Sequence, residues 1–231
     1  MIVRAVVVPQ PPLLVPELVG GALAETAPVR TACLAAATAL AQVSAEWIAV
    51  AAGPGGPAVI EPDTVGTFRG YGVDVPVSLS ANAAGEPDPD LPLPALIAGW
   101  LRGQAGAERV RVRLLGPDED YAAIGAELAG SEPTGLLVLG DGSNRHGPRA
   151  PGRADDRSGP FDEALSAALA TGDGLALRGL DRRLAEELGA TGWPAWQVLA
   201  AALPEADARL DYSATPFGVG YHVAVWDPRV R

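Results

Sequence analysis

A short apolar run that ends abruptly in polar residues is the feature that most constrains this chain. Residues 135–140 read Gly-Leu-Leu-Val-Leu-Gly, and residues 141–146 continue as Asp-Gly-Ser-Asn-Arg-His. A loop rich in Gly, Pro and Arg then leads to a helix start at residues 160–162. Because loops beyond the carboxyl ends of parallel strands form the crevice in which α/β proteins bind ligands, this stretch predicts the position of the site.

The rest of the chain alternates between strand and helix patterns. Residues 2–8 form an unbroken apolar run typical of a strand buried on both faces, and a helix is predicted at about 28–44, with Thr26 as its cap and Pro28 near its start. A strand at 47–52 completes a β-α-β unit. Further helices are predicted at about 92–103, 118–129, 160–171, 180–188 and 194–203. Further strands are predicted at 73–79, 110–115, 208–212 and 220–226.

This order predicts a single α/β domain over residues 1–231, with a mostly parallel central sheet and helices on both faces. The length allows one substantial core. The N-terminal apolar run reaches Pro9 at once, and no stretch of about 18 apolar residues occurs, so we expect a cytoplasmic protein without a membrane partner.

Composition excludes several classes of function. The net charge of −11 argues against nucleic acid and against anionic membranes as partners. All 17 basic residues are Arg, which excludes Schiff-base chemistry and a phosphate-loop lysine. Cys33, the single cysteine, lies in an Ala-rich helical pattern and is predicted to be a core residue. The partners that remain are a small molecule and a second copy of the chain.

The segment that follows the second strand, residues 53–58, reads Gly-Pro-Gly-Gly-Pro-Ala and fits the spacing of a dinucleotide-binding loop. Pro54 and Pro57 remove amides that would bind the pyrophosphate, and the residues after Ala58 do not begin a helix. We therefore reject a dinucleotide site here.

The candidate catalytic residues are His146 and Asp141, since they follow the 135–140 strand together. A Ser143–His146–Asp162 hydrolase is a further arrangement, although Ser143 lacks the G-x-S-x-G turn that exposes a nucleophile. His222, the second histidine, lies in an alternating strand. Two histidines supply at most two imidazole ligands to a metal.

Other polar and aromatic residues are predicted to line a ligand-binding pocket. Gln10 is bracketed by prolines at the end of the first strand, so its side chain has a fixed direction, and it can hydrogen-bond but not act as a base. Arg69 could hold an anion, and Trp193, Trp196 and Gln197 could either line an apolar pocket or pack in the core. The complete predicted pocket is Gln10, Gly53, Arg69, Ser143, Asn144, Trp196 and Gln197.

Three of these segments resemble the class III extradiol ring-cleavage dioxygenase family (catalytic B-subunit type), a superfamily that includes the MEMO proteins. Residues 8–17 (VPQPPLLVPE) resemble the family's P-H-P-P-like opening, 140–145 (GDGSNR) its G-D-x-S-H-R-like motif, and 218–221 (GVGY) its closing strand. The resemblance spans essentially the whole chain and implies a phosphorylase/hydrolase-like α/β fold. It also implies a non-haem Fe(II) or other divalent metal held by two His and a carboxylate.

The chain departs from the family at each expected ligand. Gln10 stands where the first His is expected, Gly53 and its neighbours stand at the second, and no acid occurs near 195–197. Asn144 replaces the motif His, with His146 displaced by two residues. Since amides are poor ligands for Fe(II), we expect no metal and no cofactor, and a pseudoenzyme that binds a small molecule.

Two alternatives stay open. Glu61, Asp141, Asp162 and His146 could assemble a rearranged Fe(II) or other metal site, with ring-cleavage activity retained. The chain could instead be a structural or assembly protein with an exposed apolar patch.

Overall fold

A seven-stranded mixed sheet forms the centre of the molecule in the computed structural model, which describes residues 1–130 and 132–229. The order is β3-β6-β2-β7-β1-β9-β8, in which β6, β2, β7 and β1 are parallel, β3 is antiparallel to β6 and β9 to both its neighbours. The strands are β1 (Ile2–Val8), β2 (Glu46–Ala52), β3 (Ala58–Ile60), β4 (Val65–Thr67), β5 (Pro76–Ser78), β6 (Arg109–Leu115), β7 (Thr134–Leu139), β8 (Ala206–Ala214) and β9 (Tyr221–Pro228). The short β4 and β5 pair separately.

Helices cover both faces of this sheet, as the sequence predicts. They are α1 (Leu23–Ala41), α2 (Leu93–Ala105), α3 (Tyr121–Gly130), α4 (Ser158–Thr171), α5 (Gly174–Arg178), α6 (Arg182–Glu187) and α7 (Trp193–Ala202). Buried residues of α1 and α2 form one core with the sheet, and those of α3 to α7 form the other. The α/β fold class is therefore confirmed.

Alternation along the strands divides the side chains between these two cores. In β1, Val6 and Val8 lie in the core under α1 and α2, while Ala5 and Val7 lie in the opposite core. Each of these residues is at most 1% exposed. Burial on both faces explains why β1 reads as an unbroken apolar run. Cys33 of α1 is fully buried in the first core, as predicted.

The start of α1 differs from the prediction. The helix begins at Leu23, so Pro28 lies inside it, and the Thr26 hydroxyl donates to the Leu23 carbonyl instead of capping the helix. Three short 3-10 turns over residues 12–22 lead directly into α1, which moves its start toward the N-terminus. The three-residue strands β3 and β4 and the five-residue α5 were not predicted, because segments of that length show no periodicity.

The carboxyl ends of the four parallel strands meet at one edge of the sheet. They are followed by Gln10 after β1, Gly53 after β2, Gly116 after β6 and Asp141 after β7. Within residues 1–130 and 132–229, no helix combines the length and apolar character needed to cross a membrane.

Candidate functional site

Two adjoining clefts occupy the edge where the parallel strands end. The polar cleft, about 730 Å³, is lined by Gln10, Tyr71, Asp90 and the proline-rich segment 89–94. The aromatic cleft, about 630 Å³, is lined by Tyr121, Trp193 and several small or proline residues. Ala52, Gly53, Pro54 and Thr191 line both clefts, so the two volumes meet at these four residues.

Asp141 is hydrogen-bonded to lining residues on both sides of this junction. Its Oδ1 accepts from the backbone N–H of Gln10 at 2.9 Å, and its own N–H donates to Thr191 Oγ1 at 3.3 Å. The side chain is half-buried, and burial raises the pKa of its carboxyl to about 6, although the Gln10 N–H acts in the opposite direction. Within the described residues, no Arg or His forms an ion pair with Asp141.

Close contact between two glycines holds the end of β7 against the loop that precedes α7. A Cβ atom at Gly140 would lie 2.1 Å from the Cα of Gly192, well inside contact distance. The Gly192 N–H donates to the Asp141 carbonyl at 3.0 Å. The two glycines therefore bring Thr191 to Asp141.

Gln10 presents an unsatisfied acceptor beside this junction. The residue is 8% exposed, and its backbone N–H is used by Asp141. The side-chain Oε1 is buried and accepts no hydrogen bond from the described residues. A buried carbonyl oxygen without a hydrogen-bond donor destabilises the folded state by about 1–3 kcal/mol. The unpaired oxygen of Gln10 therefore lowers the stability of the fold at the polar cleft.

A second cluster is built around Asp162 of α4, which is 5% exposed. Its two oxygens each lie 3.2 Å from the Ser143 N–H, and His146 Nε2 lies 2.6 Å from Oδ2. His222 Nε2 lies 3.6 Å from Oδ1, while its Nδ1 contacts the Ser213 hydroxyl at 3.0 Å. A Cβ at Gly220 would lie 2.0 Å from Asp162 Oδ2, so only glycine leaves room for the carboxylate there.

This cluster corrects the grouping of His146 with Asp141, and of the hydrolase arrangement it confirms the His146–Asp162 contact alone. The acid beside His146 is Asp162, and the hydrogen-bonding partners of Asp141 are Gln10, Thr191 and Gly192. The Ser143 hydroxyl binds Ser158 Oγ and the Leu188 carbonyl, so it is not hydrogen-bonded to His146. The Ser143–His146–Asp162 hydrolase arrangement is therefore wrong. Ser143 donates its backbone N–H to Asp162, and its hydroxyl does not hydrogen-bond to the imidazole of His146.

The remaining pocket candidates lie outside the two clefts. Arg69 is exposed and pairs with Asp74 at 2.8 Å, which raises the pKa of its guanidinium. Trp196 is 1% exposed, in the core beneath α7, and Gln197 donates to the Leu177 carbonyl there. Asn144 donates its backbone N–H to the Leu188 carbonyl. Of the predicted pocket, Gln10 and Gly53 line the polar cleft.

Glu61 lies far from the other candidate ligands. It pairs with Arg111 near the start of β6, at the opposite edge of the sheet, because β3 is antiparallel to β6. The proposed set of Glu61, Asp141, Asp162 and His146 is therefore not brought together. Within residues 1–130 and 132–229, no group of three or more His, Cys, Asp or Glu is arranged to hold a metal ion.

Sequence reasoning missed Thr191, which lines both clefts and contacts Asp141, and it missed Tyr121. Trp193, which the sequence offers as a possible pocket residue, lines the aromatic cleft with Tyr121. These two rings meet edge to face with centroids 5.7 Å apart. Thr191 lies in the run Gly-Ala-Thr-Gly at 189–192. A run of small residues after a helix is typical of a close backbone approach, and it was the one sequence feature that pointed to Thr191.

Comparison with known proteins shows the fold. No protein-family model matches the sequence, and no curated protein matches it. Among solved structures, the crystal structure of the uncharacterized protein JW3007 from Escherichia coli K12 is similar, with a TM-score of 0.53 and 15% sequence identity. The match covers 97% of this chain and 99% of that chain. The α/β architecture is thus shared along the full length of both chains.

Proposed function

We propose that this chain is a relative of the class III extradiol dioxygenases that binds a small organic molecule in the joined clefts and has no metal-dependent ring-cleavage activity. One observation carries the proposal. At the end of β1, where the resemblance places the first metal-binding His, the buried Gln10 presents an unpaired carbonyl oxygen beside the polar cleft. Rotation of the Gln10 side chain toward the cleft would let a ligand donate a hydrogen bond to this buried oxygen and offset the cost of leaving it unpaired.

The residues at the expected iron positions do not fit a non-haem iron. Gln10 is an amide, and the position after β2 is the turn at residues 53–56, which offers no side-chain ligand. Residues 195–197 supply no acid, and Trp196 and Gln197 are packed in the core. Fe(II) sites of this kind use two imidazoles and a carboxylate on one face of the metal, and none of these donors is present at the three expected positions.

The Asp162 cluster contains two imidazoles and a carboxylate, but its geometry favours direct hydrogen bonding. Atoms that ligate a metal at about 2.0–2.2 Å lie roughly 3 Å or more from each other, whereas His146 Nε2 lies 2.6 Å from Asp162 Oδ2. We infer that the cluster anchors the loop after β7 to α4 and β9. His146 Nε2 and the Ser143 N–H bind Asp162 of α4, and the His146 N–H donates to the Gly218 carbonyl just before β9.

Metal content distinguishes the proposal from the dioxygenase alternative. Protein purified without a histidine tag is loaded with Fe(II) in the absence of oxygen, desalted and measured by elemental analysis, and catechols are then added in air. We expect less than a tenth of an equivalent of metal and no new visible absorbance. About one tightly bound metal per chain, with ring opening of a catechol, would overturn the proposal.

Ligand binding is tested by ligand-observed NMR with a library of small organic fragments. The variant Thr191→Trp places a large ring where the two clefts meet, and Thr215→Trp places the same ring in a separate cleft lined by His146 and Phe217. We expect fragments whose binding is lost in the first variant and kept in the second. Equal binding to both variants would place the site elsewhere.

A further inference from the structure

From the polar groups where the clefts meet, we infer that the ligand is an organic cation, a protonated amine on an apolar body, held by Asp141 with Gln10. This inference rests on the proposed binding function and adds the chemical class of the ligand. It is carried by the kind of polar atoms that the junction presents.

The charged group at the junction, the Asp141 carboxylate, can only accept hydrogen bonds. Gln10 offers a free Oε1, and Asp141 offers a carboxylate of which only Oδ1 accepts a hydrogen bond from a described residue. Thr191 Oγ1 already accepts from the Asp141 N–H. The Gln10 amide N–H2 and the Thr191 hydroxyl can also donate, but the ionised Asp141 carboxylate cannot. Asp141 therefore favours a ligand that donates hydrogen bonds, and an ammonium group is a donor with three N–H bonds.

The charge of the polar cleft has the sign that attracts a cation. Asp90 lines it, Asp141 adjoins it, and no Arg is among its lining residues. Arg69 lies beside Gly70 and Tyr71 of the lining, but its guanidinium pairs with Asp74. In the aromatic cleft, the Arg182 charge is paired with Glu186 at 2.8 Å. The junction therefore carries an uncompensated negative charge in a partly desolvated setting, where a charge-assisted hydrogen bond is stronger than in water.

The aromatic cleft accounts for the apolar body. Tyr121 and Trp193 form an edge-to-face pair there, beside Pro117, Ala190 and Pro194. A ligand with its cation at Asp141 extends its apolar part past Thr191 and Gly53 toward these rings. Apolar lining with a few converging polar groups is the usual make-up of a small-molecule site.

Three compounds with the same carbon body test the charge preference: 4-phenylbutylamine, 4-phenylbutanol and 4-phenylbutyrate. Their affinities are measured by calorimetry at pH 7.5 with the natural chain, with Asp141→Asn, and with Asp156→Asn as a matched control at an exposed position outside both clefts. We expect the amine to bind at least tenfold more tightly than the alcohol, and the butyrate to bind most weakly. Asp141→Asn should abolish the amine's advantage, and Asp156→Asn should retain it.

The dependence of affinity on pH provides a second readout on the unmodified chain. Protonation of Asp141, whose pKa is raised to about 6, should weaken binding of the amine about tenfold between pH 7.5 and pH 5. An alkylammonium with a pKa near 10 stays charged throughout this range. The titratable groups that interact with Asp141 are Cys33 from α1 and Tyr221 from β9, both neutral here because burial raises their pKa, and Asp90 lines the polar cleft. The alcohol should show no such change.

The outcomes separate this inference from the proposed function. Equal affinity of amine and alcohol, both lost in Thr191→Trp, would overturn the cationic class and leave the binding function standing. A preference for the amine that survives in Asp141→Asn and does not change with pH would also overturn the inference. Failure of every fragment to distinguish Thr191→Trp from Thr215→Trp would overturn both.

Discussion

The backbone N–H of Gln10 donates a 2.9 Å hydrogen bond to Oδ1 of Asp141, joining the carboxyl ends of β1 and β7. Each residue keeps a polar atom that forms no hydrogen bond within the described part of the chain: Oε1 of Gln10 and Oδ2 of Asp141. The contact therefore fixes the Asp141 carboxylate against the backbone of Gln10 at the edge of the sheet. Predictions about stability and binding follow from this arrangement and from the Asp162 cluster next to it.

Asp141→Asn should stabilise the folded protein at alkaline pH. The folded-state pKa of about 6 lies above the ordinary 3.8, so the folded state binds the extra proton and the charged carboxylate destabilises it. This penalty is complete above pH 6 and disappears as the pH falls from 6 toward 4. At about 1.4 kcal/mol per pKa unit, we expect the variant to gain about 1–3 kcal/mol at pH 8. Urea unfolding at pH 8 and pH 5 measures it.

The control for that experiment is Asp90→Asn, which removes one negative charge at an exposed position of the polar cleft. Its effect on the free energy of unfolding should be small and nearly the same at both pH values. An equal gain for Asp141→Asn at pH 8 and pH 5 would contradict the assignment of a desolvated carboxyl to Asp141.

Asp162→Ala should destabilise the chain by about 3 kcal/mol. The substitution leaves the buried Ser143 N–H without its acceptor and removes the hydrogen-bonding partner of His146. Thermal and urea unfolding measure the loss, with Glu163→Ala, at the next and exposed position of α4, as the matched control expected to change stability by less than about 0.5 kcal/mol. Equal effects of the two substitutions would show that the cluster contributes nothing to folding.

Gly140→Ala should cost about 3 kcal/mol or more, since its new methyl group would overlap the Cα of Gly192 and force the end of β7 away from the next loop. The comparison is Gly103→Ala in α2, where no heavy atom lies within 4 Å of the added Cβ. There the better helix propensity of alanine should stabilise by about 0.5–1 kcal/mol. Denaturant midpoints report both changes, and a neutral Gly140→Ala would refute the close packing of the two glycines.

Gln10→Met should separate stability from binding. Removing the unsatisfied oxygen while keeping the side-chain volume should leave the free energy of unfolding unchanged or raise it by up to about 1 kcal/mol. Affinity for 4-phenylbutylamine should fall at least fivefold in calorimetry. Gln104→Met, at an exposed position of α2, should change neither quantity. A decrease of more than about 1 kcal/mol in the free energy of unfolding of Gln10→Met would show that the Gln10 side chain stabilises the fold.

Sequence patterns predicted the long elements because burial on two faces leaves a strong local signal. The strands at 2–8, 47–52 and 135–140 and the helix at 92–103 agree with β1, β2, β7 and α2 to within about two residues. The three-residue β3 is held by pairing with β6, and α5 begins at a cap where Asp173 accepts from the Ala176 N–H. Neither feature produces periodicity, so neither was predicted.

Individual residues of the candidate site could be predicted from the sequence, but most of their contacts could not. Gln10 and Asp141 stand out because each directly follows a buried strand, and parallel strands end at one edge. The hydrolase arrangement named Asp162 with His146, and the two are in contact, but the partner of the Ser143 hydroxyl depends on how the loop after β7 folds back on Leu188 and Ser158. Thr191 reaches Asp141 only because Gly140 and Gly192 allow the two backbones to touch.

The sequence by itself determined the class of fold and the edge of the sheet where the two clefts lie, because both follow from local hydrophobic patterning and from the residues that end each strand. Only the tertiary structure decided that the Ser143 hydroxyl lies away from His146, that Asp141 forms no ion pair with any described residue, and that Trp196 and Gln197 belong to the core. These depend on burial and on hydrogen bonds between residues distant along the chain, and such contacts leave no repeating pattern in the sequence.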